Sequence, residues 1–396
     1  MRIPLNASTF DSEEIEAACE VLRSGRLTMG RLCAEFESAF AGYLGVEHAL
    51  FVNSGSSANL LAFFALANHD VPKRAAKRRL TPGAEVIVPA VTWSTTIWPI
   101  VQAGGVPVLV DSNPETLQMD PEAAAEAISD RTVAICPVHV LGNAVSMQPT
   151  LELAAKHSLW VIEDTCEALG TRHNGQLTGT FGDVATFSFF FSHHITTIEG
   201  GMIATDDDEL AELCRALRAH GWSRHLKNRG AVEARHPEID PRYLFVNTGF
   251  NLRPTEINAA FGIHQLAKLE RFNRRRVEIA EAWRAGFEEL RDRFVPMRIT
   301  EGTEATWFGF PVLCRDRETR AGLKAHLERN GIETRPIICG NMARQPAMER
   351  IEHRVAGELR GADRVMDCGL YWGSHPLMTP EEVAYVAATV KGFFRT

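Results

Sequence analysis

A run of small and hydroxylated residues, Asn-Ser-Gly-Ser-Ser-Ala-Asn at positions 53–59, follows an apolar segment and opens a helical one. Gly55 lets the backbone come close to a ligand, and the amides of Gly55, Ser56 and Ser57 at a helix start would face an anion. The same composition is typical of a plain helix N-cap, in which a serine hydroxyl accepts a backbone N–H. The run is therefore either a phosphate site or a simple cap.

Two further segments place an aromatic ring and two carboxylates directly after apolar runs. Trp93, within 89–96, offers a flat face on which a planar ring could stack, although a half-buried core tryptophan fits the same sequence. Asp164 and Glu167 lie in Val-Ile-Glu-Asp-Thr-Cys-Glu. A buried aspartate is costly unless it is paired, and a protonated pyridine nitrogen would be such a partner. The alternative for Asp164 is an ordinary polar residue at a sheet edge.

The segment Thr-Phe-Ser-Phe-Phe-Phe-Ser-His-His-Ile-Thr-Thr-Ile-Glu-Gly-Gly at 186–201 carries a family signature. Taken with the three segments above, it resembles the DegT/DnrJ/EryC1/StrS family of pyridoxal-phosphate enzymes that act on nucleotide sugars. The family pattern Ser-Phe-x-x-x-Lys-x-x-x-x-x-Glu-Gly-Gly holds the lysine that binds the cofactor covalently. Ser188 and Glu199-Gly200-Gly201 match this pattern, but His193 stands in the lysine position. Imidazole cannot condense with an aldehyde, so the covalent bond is lost.

The resemblance covers nearly the whole chain, from Leu-Thr-Met-Gly at 27–30 to the C-terminal part. It is strongest to the family branch that carries the same histidine, a group of sugar 3-dehydratases, at NSGSSANLL, WSTT, EDTCE, SHHIT, RAHGWSR (218–224) and GFNLRP (249–254). It implies a role for each of the following residues: Gly55, Ser56 and Ser188 hold the phosphate with Asn251 of a neighbouring subunit, Trp93 stacks on the ring, Asp164 pairs with the ring nitrogen, Glu167 lies near the ring hydroxyl, and His220 and Arg224 line the partner subunit's site.

A histidine at this position favours elimination over amino transfer. Its ordinary pKa of about 6.5 suits a group that takes and returns a proton near neutral pH. His193 would remove a proton from the methylene of pyridoxamine phosphate and protonate the departing C3 hydroxyl. The expected substrate is a nucleotide-linked 4-keto-6-deoxy hexose, with GDP as the nucleotide by resemblance. Ammonia is released, and L-glutamate regenerates the amine form from pyridoxal phosphate. The product would be a dideoxysugar for lipopolysaccharide O-antigen.

Several alternatives stay open at this point. The chain could be an aminotransferase despite the lost lysine, or a cofactor-binding protein without activity in which His193 is structural. His194 could support its neighbour or only pack. A related branch uses an iron–sulfur cluster, but it needs four cysteines after the histidine pair, and only Cys214 lies between His194 and Cys314. Trp307, Arg335 and Asn341 could contact substrate, although each residue type more often packs or lies at the surface.

The secondary structure that must position these residues indicates an α/β fold. Strand-like runs at 48–52, 85–89, 107–111, 133–138, 160–164, 184–190 and 201–205 alternate with helical segments at 57–67, 121–129, 147–157 and 207–220. This alternation predicts a mostly parallel sheet flanked by helices. The resemblance implies the pyridoxal-phosphate-dependent transferase fold (aspartate aminotransferase-like, fold type I). The alternation fades near Gly262, where a helix at 263–290 is predicted. We therefore expect a large cofactor domain at 1–262, and an interdomain helix with a smaller α+β domain at 263–396.

Composition limits the remaining possibilities. The 396 residues are 45% hydrophobic and 23% charged, with a formal net charge of −8, which argues against nucleic acid as a partner. One basic run at 73–79 predicts a solvated loop or a contact with an anionic substrate. The N-terminus lacks a signal-peptide pattern, and no apolar stretch is long enough to span a membrane. Eight scattered cysteines indicate neither a metal site nor a disulfide framework. We expect a cytoplasmic homodimer.

Overall fold

The computed structural model describes residues 1–73 and 76–395. Its helices are α1 (Ser12–Ser24), α2 (Arg31–Leu44), α3 (Gly55–Ala67), α4 (Ser94–Gln102), α5 (Pro121–Glu126), α6 (Met147–His157), α7 (Asp208–Arg218), α8 (Arg229–Glu233), α9 (Glu256–Gly286), α10 (Arg317–Arg329), α11 (Arg360–Cys368) and α12 (Pro380–Arg395). Its strands are β1 (His48–Val52), β2 (Glu85–Pro89), β3 (Val106–Val110), β4 (Thr132–Ile135), β5 (Trp160–Asp164), β6 (Arg172–His173), β7 (Gln176–Leu177), β8 (Val184–Ser188), β9 (Gly201–Thr205), β10 (Phe294–Pro296), β11 (Thr303–Glu304), β12 (Phe310–Cys314), β13 (Thr334–Arg335), β14 (Arg354–Val355) and β15 (Gly369–Trp372).

The main sheet has eight strands in the order β1-β9-β8-β5-β4-β2-β3-β14. The pairings from β8 to β14 are parallel, whereas β9 runs antiparallel to both β1 and β8. Strands such as β1, β2, β3 and β5 are buried at every position, as expected for a sheet that helices cover on both faces. The predicted α/β fold with a mostly parallel sheet is confirmed.

The C-terminal part is built on a long helix and a second sheet. Helix α9 has 31 residues, which gives it a length of about 46 Å. After it, β10, β12, β15 and β13 form an antiparallel sheet. Strand β14 leaves this part of the chain and pairs with β3 at the edge of the main sheet. The predicted boundary at residue 262 falls within α9, and the division into domains remains a prediction.

Two predicted elements have different bounds. The helix predicted at 263–290 begins at Glu256, because Thr255 caps the N-terminus of the helix: the Thr255 hydroxyl accepts the Asn258 N–H. The apolar segment at 305–313 also predicts a strand, but the strand begins only at Phe310, because the amides of Thr306 and Phe308 donate to the carbonyls of Gly142 and Leu141 and not to a neighbouring strand.

The basic run at 73–79 is only partly described, since Arg74 and Ala75 lie outside the described residues. Lys77 Nζ donates to Asp183 at 2.5 Å, and Arg78 donates to the carbonyls of Asp130 and Thr132. These two side chains are therefore bound to the fold itself. None of the described helices combines the length and the apolar character that a membrane span requires.

Candidate active site

Seven of the eight strands bring their carboxyl ends to one edge of the main sheet. Because β1 and β8 both run antiparallel to β9, they point the same way, and the parallel pairings extend that direction to β5, β4, β2, β3 and β14. Val52 at the end of β1 and Ser188 at the end of β8 both lie opposite Gly201. Ligands in α/β sheets bind at this edge. The structure thus collects at one edge the predicted residues that follow β1, β2, β5 and β8.

The turn from β1 into α3 packs against the end of β8. The Ser54 hydroxyl caps α3 by accepting the Ser57 N–H at 3.0 Å. A Cβ built on Gly55 would lie 2.4 Å from the Ser188 Cβ, so only glycine allows this approach. Ser56 Oγ donates to Thr95 Oγ1 at 3.2 Å, which joins the turn to α4. The helix amides and the serine hydroxyls form a cradle with the chemistry of a phosphate site.

Asp164 is a buried carboxylate, 4% exposed, at the end of β5. Its Oδ2 accepts from Asn59 Nδ2 at 2.9 Å and from Thr96 Oγ1 at 2.8 Å, and its Oδ1 accepts from the Cys166 N–H at 3.2 Å. Thr186 Oγ1 fixes the Asn59 amide at 2.6 Å. Within the described residues no basic side chain pairs with Asp164. A buried anion held only by neutral donors fits a cationic partner supplied by a ligand.

Sequence reasoning missed the two residues that hold this carboxylate. Asn59 lies in the apolar run Ala-Asn-Leu-Leu of α3, and a single amide there was the signal that could have identified it. Thr96 belongs to the Trp-Ser-Thr-Thr motif, which drew attention only for its tryptophan.

Glu167 and Trp93 flank the same edge. Glu167 Oε2 accepts the Leu141 N–H at 2.9 Å. Burial raises the pKa of Glu167 to about 7. The negative charge of Asp164 acts in the same direction, whereas the hydrogen bond from the Leu141 N–H acts against it. Trp93 precedes α4 and is 56% exposed, so its ring face is open. The core-packing alternative for Trp93 therefore does not hold.

His193 lies in the turn that follows β8. Its ring packs against Phe308, with centroids 5.1 Å apart, and its Nδ1 has no hydrogen-bond partner in the described structure. Burial lowers the pKa of His193 to about 4; the Cys166 carbonyl and Asp164 oppose this effect, and Arg276 adds to it. The imidazole is neutral near pH 7 and can accept a proton.

The tautomer of His194 follows from its hydrogen-bond chain. Thr171 Oγ1 donates to the Gly142 carbonyl at 2.8 Å, so in its 2.8 Å contact with Thr306 it must accept. Thr306 therefore donates to Thr171 and must accept from His194 Nε2, which lies 3.1 Å away. His194 thus carries a proton on Nε2, while its Nδ1 has no hydrogen-bond partner in the described structure. Burial lowers its pKa well below the ordinary value, and Arg276 and His193 act in the same direction, so the ring is neutral near pH 7.

The residues expected to serve a partner subunit lie on an exposed segment. Arg224 stacks over the Trp222 ring at 4.1 Å, the His220 amide donates to the Phe250 carbonyl, and Asn251 Oδ1 accepts from Arg253. Across the described chain, no hydrogen bond or ion pair joins His220, Arg224 or Asn251 to the other predicted site residues.

The three candidates in the C-terminal part of the chain differ in burial. Asn341 is fully buried, and its amide donates to Asp363 at 2.8 Å while its oxygen accepts the Ala343 N–H. Trp307 is also buried, whereas Arg335 is exposed and pairs with Glu333. Asn341 and Trp307 are therefore packing residues. In residues 1–73 and 76–395, no cluster of three or more histidine, cysteine or acidic side chains could hold a metal ion.

Comparison with known proteins gives a consistent result. A sequence profile of the DegT/DnrJ/EryC1/StrS aminotransferase family matches residues 8–391. The chain is 38% identical over 390 residues to GDP-4-keto-6-deoxy-D-mannose 3-dehydratase of Yersinia pseudotuberculosis, covering 97% of this chain and 96% of that protein. It is 33% identical over 394 residues to GDP-perosamine synthase of Caulobacter vibrioides, covering 98% and 97%. A solved GDP-4-keto-6-deoxymannose-3-dehydratase with a trapped PLP-glutamate geminal diamine superposes with a TM-score of 0.89 at 35% identity, covering 98% and 100%.

Proposed function

Because the chain belongs to the DegT/DnrJ/EryC1/StrS aminotransferase family and is a pyridoxal-phosphate-dependent sugar enzyme, we propose that it is a C3 dehydratase of a nucleotide-linked 4-keto-6-deoxy hexose. The observation that carries this proposal is His193. A neutral, half-buried imidazole with a free nitrogen stands where the family pattern has a lysine. Such a group can move protons but cannot bind the cofactor covalently.

The residues at the sheet edge fit the cofactor. The Gly55–Ser188 cradle, which a Cβ would fill, suits the phosphate, with Ser56 beside it. Asp164, a buried anion without a cation, suits the ring nitrogen, and the open face of Trp93 suits the ring. Glu167 is assigned to the ring hydroxyl. When bound, pyridoxamine phosphate supplies an amine and an electron-accepting ring.

His193 has two tasks in this proposal. In its neutral form it accepts a proton from the cofactor's methylene carbon, and in its protonated form it donates that proton to the oxygen that leaves C3 of the sugar. A single group can do both because the steps follow one another.

Asn251, His220 and Arg224 are assigned to the site of a second copy. Support comes from the same exposed segment, where Tyr243 is 66% and Phe245 53% exposed, since large exposed apolar side chains mark interaction surfaces. Coexpression of His193→Asn and Asn251→Ala chains tests this assignment. If each site draws on both copies of a homodimer, the mixture recovers about one quarter of wild-type activity, because half of the dimers are mixed and each has one intact site. Activity no higher than that of the separate variants contradicts it.

The amino donor and the nucleotide follow from the relatives. The PLP-glutamate adduct of the similar structure supports L-glutamate, and the GDP sugars in the names of the similar proteins support GDP. The reaction then releases ammonia and a 4-keto-3,6-dideoxy sugar, which we place in cytoplasmic synthesis of a lipopolysaccharide O-antigen sugar. The cofactor is regenerated without an iron–sulfur cluster, since Cys214 is buried in α7 and the other cysteines are scattered.

Amino transfer is the second candidate, favoured by the family description and by the similarity to GDP-perosamine synthase. One assay separates the two reactions. The protein is incubated with pyridoxal phosphate, L-glutamate and GDP-4-keto-6-deoxy-mannose, and ammonia and product mass are followed. Elimination gives ammonia and a deoxygenated sugar, whereas transfer gives an amino sugar. A protein without activity gives neither product. His193→Asn is the control: it should abolish elimination but retain cofactor, and near-normal turnover would remove the basis of the proposal.

A further inference from the structure

Arg276 is a buried cation without an acidic partner. It lies on α9, is 2% exposed, and its Nη1 donates to the carbonyls of Trp307 at 3.2 Å, Phe308 at 3.2 Å and Ser374 at 3.4 Å. Its Nε has no hydrogen-bond partner, and no carboxylate within the described ranges pairs with it. By contrast, the adjacent Arg275 pairs with Glu278. An unpaired buried charge lowers stability by several kcal/mol, so this arrangement calls for a functional explanation.

Three histidines lie next to residues that bind this guanidinium. The Phe308 ring, whose carbonyl accepts from Arg276, packs against both His193 and His194, with centroids 5.1 and 6.0 Å apart. His375 follows Ser374, another acceptor of Arg276, and is 5% exposed with neither ring nitrogen bonded. Within the described chain the histidines with acidic partners lie elsewhere, at His48, His139 and His236. The only charge beside His194 and His375 that is buried with them is positive.

We propose that Arg276 is a positioning residue that acts electrostatically: its unpaired charge behind the active site keeps the imidazole of His193 unprotonated at rest and favours release of the proton that it passes to the leaving oxygen. This inference rests on the proposed function of His193. A guanidinium suits the task because it stays charged even in a buried site. Its hydrogen bonds to backbone carbonyls hold it in place without a carboxylate that would cancel its field.

The charges that face His193 come from several elements. Asp164 and the Cys166 carbonyl, both following β5, favour protonation of the imidazole, while Arg276 on α9 opposes it. The pKa of His194, on the same turn, is itself lowered well below the ordinary value by burial, and Arg276 adds to this effect. Burial is the largest effect and prevails, with a smaller contribution from Arg276, and the pKa of His193 falls to about 4. The pKa of His375 is also lowered to about 4, by burial and then by Arg276, while Glu382 opposes this effect.

The alternative is that Arg276 only ties α9 to the segments at 307–308 and 374. Two variants separate charge from structure: Arg276→Lys keeps the charge with fewer donors, and Arg276→Gln keeps a polar group without charge. The probe is histidine labelled with carbon-13 at the ring, titrated by NMR in the full-length protein without cofactor and again with pyridoxamine phosphate. His193 is assigned with His193→Asn, and His48 serves as a remote control.

We expect Arg276→Gln to raise the pKa of His193 and of His375 by about one unit, and Arg276→Lys to leave both nearly unchanged. The acidic limb of the pH–activity profile should shift upward by the same amount in Arg276→Gln only. Equal shifts in both variants, or no shift in either, overturn the proposal. If Arg276→Gln does not fold, the comparison is made between wild type and Arg276→Lys, and ordinary wild-type pKa values near 6.5 for His193 and His375 overturn the proposal as well. The titration needs no turnover, so failure of the dehydratase assay is a separate result.

Discussion

Replacing Asp164 with asparagine tests whether the buried carboxylate exists to hold the cofactor. The substitution keeps the size of the side chain and removes its charge. In the protein without cofactor, Asp164 accepts three hydrogen bonds from neutral donors, from Asn59, Thr96 and Cys166. An asparagine can satisfy most of them, but its NH2 group must replace one acceptor and would face another donor.

The substitution should change the stability of the protein and its affinity for the cofactor by different amounts. Loss of one neutral hydrogen bond lowers the free energy of unfolding of the cofactor-free protein by about 1 kcal/mol. Loss of the charged bond to the ring nitrogen weakens binding of pyridoxamine phosphate by about 1.5–3 kcal/mol, which corresponds to about 10- to 150-fold in Kd. The Asp164 variant should therefore fold nearly normally and bind the cofactor poorly.

Glu163 provides a matched control, since adjacent strand residues point to opposite faces of a sheet. Its carboxylate accepts from the amides of Gly179, Phe181 and Gly182 and lies 3.0 Å from His139. Glu163→Gln should lower the free energy of unfolding by about 2–3 kcal/mol while cofactor affinity changes little. Calorimetric titration with pyridoxamine phosphate and urea unfolding measure the two quantities. If Asp164→Asn binds the cofactor within about threefold of wild type, or if both variants weaken binding equally, the assignment of Asp164 is wrong.

Three further predictions concern other residues of the site. His193→Lys should form a covalent bond to pyridoxal phosphate, seen as a mass increase after borohydride reduction; an unmodified protein would mean that position 193 does not face the cofactor. The pKa of Glu167 rises from 4.5 to about 7 on folding, so its contribution to stability is present below pH 4.5 and is lost as the pH rises through about 7. Glu167→Gln should remove this loss of stability, which amounts to up to about 3 kcal/mol between acidic and neutral pH. Urea unfolding of the cofactor-free protein at several pH values measures it. A pH dependence equal to that of the wild type would contradict the raised pKa of Glu167. Thr306→Val removes the acceptor of the His194 Nε2–H and should change the nitrogen-15 shifts of that ring and lower stability by about 1–3 kcal/mol; unchanged shifts would refute the tautomer.

The main sheet could be predicted from the sequence because its strands are short, apolar and separated by helices. The start of α9 could not, because Gly262 looked like a break in the pattern. In the structure Gly262 lies within the helix, and a Cβ there would come within 2.6 Å of the Phe36 ring. Its role is close packing, which a local pattern does not distinguish from a helix end. Strand β14, with two residues, gives no periodic signal at all.

Some residues of the candidate site could be predicted from the sequence and others could not. Residues that follow strands, such as Asp164, could be selected because the carboxyl ends of parallel strands meet. The contact between His194 and Thr306 joins positions 112 residues apart, and no spacing rule links them. Arg276 was also unpredictable, because nothing in its sequence distinguishes it from Arg274 and Arg275; only the fold shows which of the three is buried without an acid.

The absence of an amine at position 193 has a consequence for handling and for physiology. With imidazole there, the vitamin B6 derivative is retained only by reversible contacts such as those of the Gly55–Ser188 cradle. Dialysis or dilution should strip the purified protein, whereas a lysine-bearing relative keeps its coenzyme through the same treatment. In a cell, saturation of this protein would follow the supply of the vitamin.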